Sequence, residues 1–227
     1  IEASLRFEGS KVLAIDLSLD SLAYAQRKSE ELGTSNIDYM QADILDLGAL
    51  GRQFDIIEST GVLHHMNSPM EGWLVLSECL KPGGLMKIGL YSEMARRHIV
   101  KSRSDISRLK LSPTEADIKL FRDSLVESHK EHHKKLHSSG DFYCMSELRD
   151  LLFHVKEHLF TLPQIGQCLE KLGLNFAGFE KNDVMIRSFE TQFAESDAKF
   201  DLVKWHIFEK QHPDTFGGMY QFWCQKP

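Results

Sequence analysis

Two aspartates follow short apolar segments in the first part of the chain. Asp16 ends the apolar run at residues 12–15, and Asp43 closely follows a second run at residues 37–41. A carboxylate at the end of a parallel strand can accept two hydrogen bonds from a ribose diol. Asp43 precedes Ile44, so that it could hold the exocyclic amine of adenine while the aliphatic side chain packs on the ring. A turn-capping role is the alternative for each residue, but two successive strand ends favour a nucleoside site.

A pair of histidines follows a third apolar segment. His64 and His65 lie a few residues after the run at residues 54–59. Imidazole titrates near neutral pH, so either side chain could act as a general base or orient an acceptor group. The alternative is that one of them packs in the turn. We expect at most one of the two to be functional.

A group of three histidines in the middle of the chain has the spacing of a metal site. His129, His133 and His137 are each four residues apart and would share one face of a helix. Such a column could bind a metal. Lysines surround it, and no carboxylate or cysteine partner is obvious in the sequence. We therefore favour a solvated helix face.

A second metal motif is the H-x-x-E-H pattern at residues 154–158. In a zinc hydrolase of this type, His154 and His158 would bind zinc and Glu157 would activate a water molecule. The alternative is a helix end or loop with packing residues on either side. We favour the second interpretation, keep a zinc hydrolase as a remote alternative, and expect no metal site.

The elements around these residues alternate between strands and helices. Apolar runs predict strands at residues 12–16, 37–41, 54–59 and 85–91. Ser18 is a suitable N-cap for the helix that ends near Gly33. Ser68 and Glu71 have the spacing of a capping box, with Pro69 at the first helical position. This order predicts an α/β fold with a doubly wound, mostly parallel sheet.

The second half of the chain is expected to add helices and complete the sheet. We predict three parts of one domain: a first α/β part at 1–92, a mainly helical insertion at 93–172, and C-terminal strands at 173–227 that complete the same sheet. Within them, helices are predicted at residues 114–127 and 163–172. Strands are predicted at 175–181 and 219–225, the last of them antiparallel in an edge hairpin.

Composition narrows the class of protein. The chain has 227 residues and a formal net charge of −6, which does not favour a nucleic-acid partner. Four scattered cysteines without a CxxC spacing predict reduced thiols in the cytoplasm. No apolar run approaches the length of a membrane span, and no secretory pattern opens the chain.

Four segments in order, VLAIDLS, YMQADILDL, FDIIESTGVLHHM and LKPGGLMKIGLYS, resemble the class I S-adenosylmethionine-dependent methyltransferases. The resemblance implies S-adenosyl-L-methionine as the cofactor and direct in-line transfer of its methyl group, mainly through positioning and without a metal. It implies that Asp16 binds the ribose, that Asp43 and Ile44 contact adenine, and that residues 59–61 lie beside the methionine part. The implied cofactor-binding set is Asp16, Leu17, Ala42, Asp43, Ile44, Ser59, Thr60 and Gly61. The resemblance further implies that residues 1–92 form a Rossmann-like cofactor-binding part and that the insertion at 93–172 covers the acceptor side.

The resemblance also implies what should precede Ile1. Members of the family begin with a strand and a glycine-rich loop, and we expect this chain to lack both. The sheet should then have a gap between the strands at residues 12 and 54, or should re-pair. A truncated, non-catalytic fragment or interaction module is therefore the alternative to an active enzyme. The sequence names no methyl acceptor, which could be a small molecule, and no oligomeric state.

Overall fold

The computed structural model describes residues 1–7, 9–137, 139–153, 157–180 and 183–227. The helices are α1 Glu2–Arg6, α2 Leu19–Glu31, α3 Pro69–Glu78, α4 Arg97–Arg108, α5 Glu115–Val126, α6 Glu131–His137, α7 Met145–Phe153, α8 Leu162–Leu172, α9 Asp183–Gln192 and α10 Leu202–Gln211. The strands are β1 Val12–Asp16, β2 Ile37–Gln41, β3 Phe54–Thr60, β4 Leu80–Tyr91, β5 Asn175–Phe179 and β6 Met219–Gln225. None of the described helices is long and apolar enough to cross a bilayer.

The strands form two hydrogen-bonded groups in the described ranges. β1 pairs with β2 in parallel, and a four-stranded sheet has the order β3-β4-β6-β5. β3 and β4 are parallel, whereas β6 runs antiparallel to both of its neighbours. The predicted α/β class with a mostly parallel sheet is confirmed. The closing strand β6 lies inside the sheet between β4 and β5, however, so of the two C-terminal strands only β5 is at an edge. Helices α9 and α10 separate β5 from β6 along the chain.

β1 is less buried than the apolar run at residues 12–15 indicates. Residues 12–15 are half-buried and Asp16 is exposed. Within the described part of the chain, β1 is hydrogen-bonded only to β2. The strand therefore keeps one unpaired edge, as expected for a gap between β1 and β3.

The start of α3 also departs from the prediction. Ser68 is the N-cap and Pro69 occupies the first helical position, as expected. The Ser68 side chain caps nothing, and its carbonyl instead accepts a hydrogen bond from the Glu71 N–H at 3.2 Å. The predicted capping box is therefore wrong, because the backbone itself satisfies that first-turn donor.

β4 begins five residues earlier than predicted. Leu80 already pairs with Phe54, and an irregularity in the register separates this pair from Ile56 and Leu85. The strand irregularity contains the Pro82-Gly83-Gly84 segment, in which Gly83 has a φ of 77°. Glycine adopts this left-handed conformation without a Cβ clash, which allows the turn-like sequence to stay within the strand.

Two apolar cores organise the molecule. The main core lies against the four-stranded sheet and includes Trp73, Trp205 and Phe222, none of which is exposed. Burial of a large apolar side chain contributes about 1.5–3 kcal/mol. Helix α8 packs in this core through Leu162, Ile165 and Leu169. A second cluster belongs to the segment after β4 and comprises Ile99, Ile106, Ile118, Phe121, Leu125, Leu136, Phe142, Leu148 and Leu152.

The predicted column of three histidines does not form. α6 begins at Glu131, so His129 lies before the helix and is exposed. His133 is buried, and the ring of His137 packs edge-on against Phe142. The three side chains therefore have three different environments instead of one solvated face.

Candidate functional site

The ends of β1 and β2 bring four of the predicted cofactor-binding residues together. The Ala42 N–H donates to the Asp16 carbonyl at 3.2 Å, and Gln41 Nε2 donates to the Leu17 carbonyl at 2.8 Å. Asp43 follows directly and begins a short 3-10 helix at Ile44–Leu50. Asp16 and Asp43 therefore stand on adjacent strand ends, where the parallel pairing places both carboxylates on one edge of the sheet.

Each of these carboxylates also has a local structural role. Asp16 Oδ1 accepts from the Ser18 N–H at 2.8 Å, and Asp43 Oδ1 accepts from the Leu45 N–H at 2.9 Å. A carboxylate has two oxygens and about four acceptor positions, so one local bond leaves capacity for a ligand. Asp16 is exposed, and this makes its remaining capacity accessible.

The end of β3 holds the second predicted group. Ser59 is buried, and its Oγ has no hydrogen-bond partner in the described part of the chain. Thr60 is the last residue of the strand, and the Gly61 N–H donates to the Gly89 carbonyl at 3.3 Å. No backbone pairing joins this strand to β1 within the described ranges, so the two groups lie on separate strand pairs.

Gly89 is a site residue that the sequence interpretation missed. A Cβ at this position would lie 2.6 Å from Thr60 Cγ2 and 2.9 Å from Thr60 Cα. Only glycine permits β4 to approach the end of β3 so closely. The residue is recognisable in the sequence as a glycine inside an apolar strand, a pattern that marks close backbone approach.

These residues fit an S-adenosyl group. An exposed carboxylate at one strand end suits a diol, and an unpaired buried hydroxyl at another suits a polar group of a ligand. Ile44 packs in part against the main core, which leaves an apolar surface next to Asp43. The donor set is therefore compatible with a ribose, an adenine and a polar amino-acid part.

The two predicted catalytic histidines have different environments. Both lie in a short 3-10 helix at Leu63–His65. His64 is fully buried, stacks on Tyr91 with ring centroids 3.8 Å apart, and has no well-formed hydrogen bond from either ring nitrogen to any described residue. His65 is half-buried and meets Tyr91 edge-on at 5.7 Å. Only His65 is accessible to a substrate.

Burial fixes the charge of His64. It lowers the pKa of the imidazole from 6.5 to about 4, with a smaller contribution from neighbouring His65. A buried cation without a partner is unfavourable, so the ring stays neutral at physiological pH. His64 therefore acts as a flat, neutral packing surface for Tyr91.

The low pKa of His64 predicts that acid destabilises the fold. The unfolded chain binds a proton near pH 6.5, whereas folded His64 binds one only near pH 4, so the free energy of unfolding should fall as the pH falls through this window. The complete effect is about 3 kcal/mol. Urea denaturation between pH 7.5 and pH 4.5 measures it. Other histidines also contribute to the pH dependence of stability, so His64→Phe is the control. Its free energy of unfolding should fall less than that of the unaltered protein between pH 7.5 and pH 4.5. Equal losses in both proteins would contradict the prediction.

An arginine and a glutamate complete this side of the site. The Arg96 guanidinium lies 3.7 Å from the centre of the Tyr91 ring, and its NH2 is 3.1 Å from both carboxylate oxygens of Glu157. Arg103 NH1 lies 2.9 Å from Glu157 Oε2. Sequence interpretation missed this network, because its members are distant along the chain. In the sequence, Glu157 stood out only as a member of the H-x-x-E-H pattern.

Residues 157–160 form a return strap that is hydrogen-bonded to the histidine turn and to the end of β4. The His158 N–H donates to the His64 carbonyl at 2.8 Å, and the Phe160 N–H donates to the Tyr91 carbonyl at 2.9 Å. The strap thus covers the histidine turn and the end of β4 from the side of the helical segment. This position is suited to exclude water from a site at the strand ends.

Only Glu157 and His158 of the H-x-x-E-H motif are among the described residues. His154 lies outside the described residues, and so do Val155 and Lys156. The Glu157 carboxylate is held by two arginines, which leaves it poorly placed to activate a metal-bound water.

Comparison with known proteins identifies the first part of the chain. Residues 2–88 match the family model described as "Methyltransferase domain". An uncharacterized protein of Synechococcus sp. is 27% identical over 186 residues, which cover 77% of this chain and 44% of that protein. A ubiquinone biosynthesis O-methyltransferase of Cereibacter sphaeroides is 33% identical over 78 residues, which cover 34% of this chain and 31% of the enzyme.

Several solved structures share the fold of this chain. The structure of PKMT2 from Rickettsia typhi has a TM-score of 0.65 at 18% identity and covers 95% of this chain and 43% of that one. The same protein in complex with AdoHcy also has a TM-score of 0.65. The sequence match over residues 2–88 and the shared fold support the resemblance to the class I S-adenosylmethionine-dependent methyltransferases. The chain spans less than half the length of the curated relatives described above.

Proposed function

We propose that this chain binds S-adenosylmethionine at the strand ends and directs its methyl group to an acceptor beside His65. The observation that carries the proposal is the exposed Asp16 carboxylate, which lies next to Asp43 on adjacent parallel strands. The family resemblance supports the cofactor, and the AdoHcy complex of the Rickettsia protein supports its binding to this fold. The comparisons do not support the fragment or zinc-hydrolase alternatives.

Each group of residues has a separate role in this proposal. Asp16, next to Leu17, accepts hydrogen bonds from the ribose hydroxyls, and Ala42, Asp43 and Ile44 surround the adenine. Ser59 offers its unpaired hydroxyl to the methionine part, together with Thr60 and Gly61. When bound, the cofactor supplies an electrophilic methyl group on a sulfonium. The return strap limits the access of water.

His65 is proposed to act on the acceptor. It would orient the attacking O, N or C atom. A ring nitrogen would take the proton that the acceptor loses as its bond to the methyl carbon forms, while the carbon–sulfur bond breaks and neutral S-adenosylhomocysteine leaves. His64 supports it through edge-on contact, with ring centroids 4.4 Å apart. We infer that the acceptor is not a nucleic acid, given the net charge of −6. The four free cysteines support a cytoplasmic location.

The identity of the acceptor is best sought among hydroxyl compounds first. The Cereibacter relative is by name an O-methyltransferase, although its similarity covers only 34% of this chain. A screen would measure the release of S-adenosylhomocysteine in the presence of phenols, carboxylates and amines. Turnover that requires one of these compounds would define the acceptor class.

Replacement of Asp16 with Ala is expected to raise the dissociation constant for S-adenosylmethionine about ten- to a hundredfold. The variant loses a charged acceptor for two ribose hydroxyls, and hydrogen bonds to charged groups contribute about 1.5–3 kcal/mol. Calorimetric titration with the cofactor and with its demethylated product provides the measurement.

Two further variants make this test specific. Asp16→Asn keeps an oxygen for the Ser18 N–H but loses the charge, so it should weaken binding without disturbing the turn. Asp20→Ala removes another exposed aspartate in the first turn of α2 and should bind normally. Normal binding by Asp16→Ala, or no binding by the unaltered chain, would refute the proposed function.

A further inference from the structure

Three side chains with metal-ligating atoms meet between α4 and α6, away from the proposed methyl-transfer site. His132 Nε2 and His133 Nε2 each lie 3.0 Å from Asp105 Oδ2. One ligand atom from each residue can be chosen so that all three lie within 4.8 Å of one another. The carboxylate of this cluster is therefore supplied from α4.

The arrangement has the composition of a zinc site. Zinc binds imidazole nitrogen and carboxylate oxygen at about 2.0–2.2 Å, so tetrahedral ligands are about 3.3 Å apart. The two nitrogen-to-oxygen distances of 3.0 Å are close to that spacing. Two imidazoles and one carboxylate would leave the fourth position to water or another ligand.

The second ring nitrogen of His133 also has a hydrogen-bond partner, and this partner is compatible with a proton on either ring nitrogen. Its Nδ1 lies 2.7 Å from Ser128 Oγ. A serine hydroxyl can donate or accept, so Nδ1 can accept from it while Nε2–H donates to Asp105. With a metal on Nε2, Nδ1–H would donate to the same hydroxyl. Partners of this kind keep the ring of a metal-binding histidine oriented.

Two cations also contact Asp105, and their exposure shows that they can be displaced. Lys130 Nζ lies 2.7 Å from Oδ2, and Arg108 NH2 lies 2.5 Å from Oδ1. Their side chains are 46% and 69% exposed, whereas those of Asp105 and His133 are 12% and 6% exposed. Ion pairs with such exposed side chains contribute little. The Lys130 ammonium therefore lies near the position that the charge of a bound divalent ion would take.

We propose that Asp105, His132 and His133 form a binding site for a divalent transition metal, with zinc as the first candidate. Asp105 belongs to α4, and both histidines belong to α6. Each of these helices also contributes to the second core, through Ile106 and Leu136. A bound ion would fasten the two helices together, and this role does not depend on methyl transfer.

Zinc binding to tag-free protein, measured in competition with a chromophoric chelator, tests the proposal. We expect one zinc per chain and at least tenfold weaker binding in His132→Ala and in His133→Ala. Cobalt should give a visible absorption band that both variants lose. His129→Ala is the matched control, because His129 is exposed and outside the cluster. Absent stoichiometric binding, or equal affinity in all four proteins, would overturn the proposal.

The Lys130→Gln variant distinguishes a metal site from a network of ion pairs. Lys130 is exposed, so its replacement should not disturb the fold. Removal of the competing ammonium should tighten zinc binding several-fold, since a dication and a lysine compete for Asp105 Oδ2. An ion-pair network without metal affinity predicts no such gain. Unchanged or weaker zinc binding by this variant would contradict the site.

Discussion

Replacement of Glu157 with Ala is expected to lower the free energy of unfolding by about 3–5 kcal/mol. The side chains of Arg96 and Glu157 are only 8% and 4% exposed. Removal of the Glu157 carboxylate leaves the buried Arg96 charge without compensation. This destabilises a protein more than replacing both members of a buried ion pair with apolar residues. Arg96 would also lose the contact that holds its guanidinium over the Tyr91 ring. Denaturant unfolding with circular dichroism provides the measurement.

A matched variant isolates the effect of burial. Asp214 pairs with Arg97 and Lys135 through oxygens at 3.1 Å and 2.7 Å, but its side chain is 65% exposed. Asp214→Ala should therefore cost at most about 1 kcal/mol. If Glu157→Ala costs no more than this exposed control, the buried network does not stabilise the return strap.

Replacement of His65 with Gln is expected to reduce the rate of methyl transfer by about 10²–10⁴, the usual contribution of a general base. The comparison requires the acceptor that the hydroxyl, carboxylate and amine screen identifies. The dissociation constant for S-adenosylmethionine should remain unchanged, because His65 is assigned to the acceptor. Single-turnover rates with a labelled methyl group measure the effect directly.

The control for this experiment is His129→Gln, which alters an exposed imidazole before α6. It should react at the unaltered rate. A rate for His65→Gln within a few-fold of the control would leave positioning alone as the source of catalysis and would remove His65 from the proposed mechanism.

The strands and their functional edge were largely predictable from local patterns. β1 and β2 have the predicted bounds because short apolar runs are followed directly by polar turn residues. Parallel pairing then requires their ends to be adjacent, which is why Asp16 and Asp43 could be associated from the sequence alone. Their assignment to ribose and adenine stays a prediction.

Local patterns were less informative where backbone geometry or distant contacts decide the outcome. The Ser68 and Glu71 spacing fits a capping box, yet the backbone satisfies the helix start. Arg96 and Glu157 are 61 positions apart, and no periodicity connects them. Likewise, the histidines of α6 are paired with Asp105, which belongs to another helix and has no spacing relation to them.

The ends of the segment between β4 and α8 lie next to each other. Ser92 forms a parallel bridge with Phe160, and the Glu93 N–H donates to the Phe160 carbonyl at 2.9 Å. The helices between these points enclose their own apolar cluster. A short linker could therefore replace the whole segment without stretching the sheet, since closing a short loop between adjacent ends is entropically inexpensive. In this sense the segment is exchangeable, and swapping it between related chains would change these helices while leaving the strand ends in place.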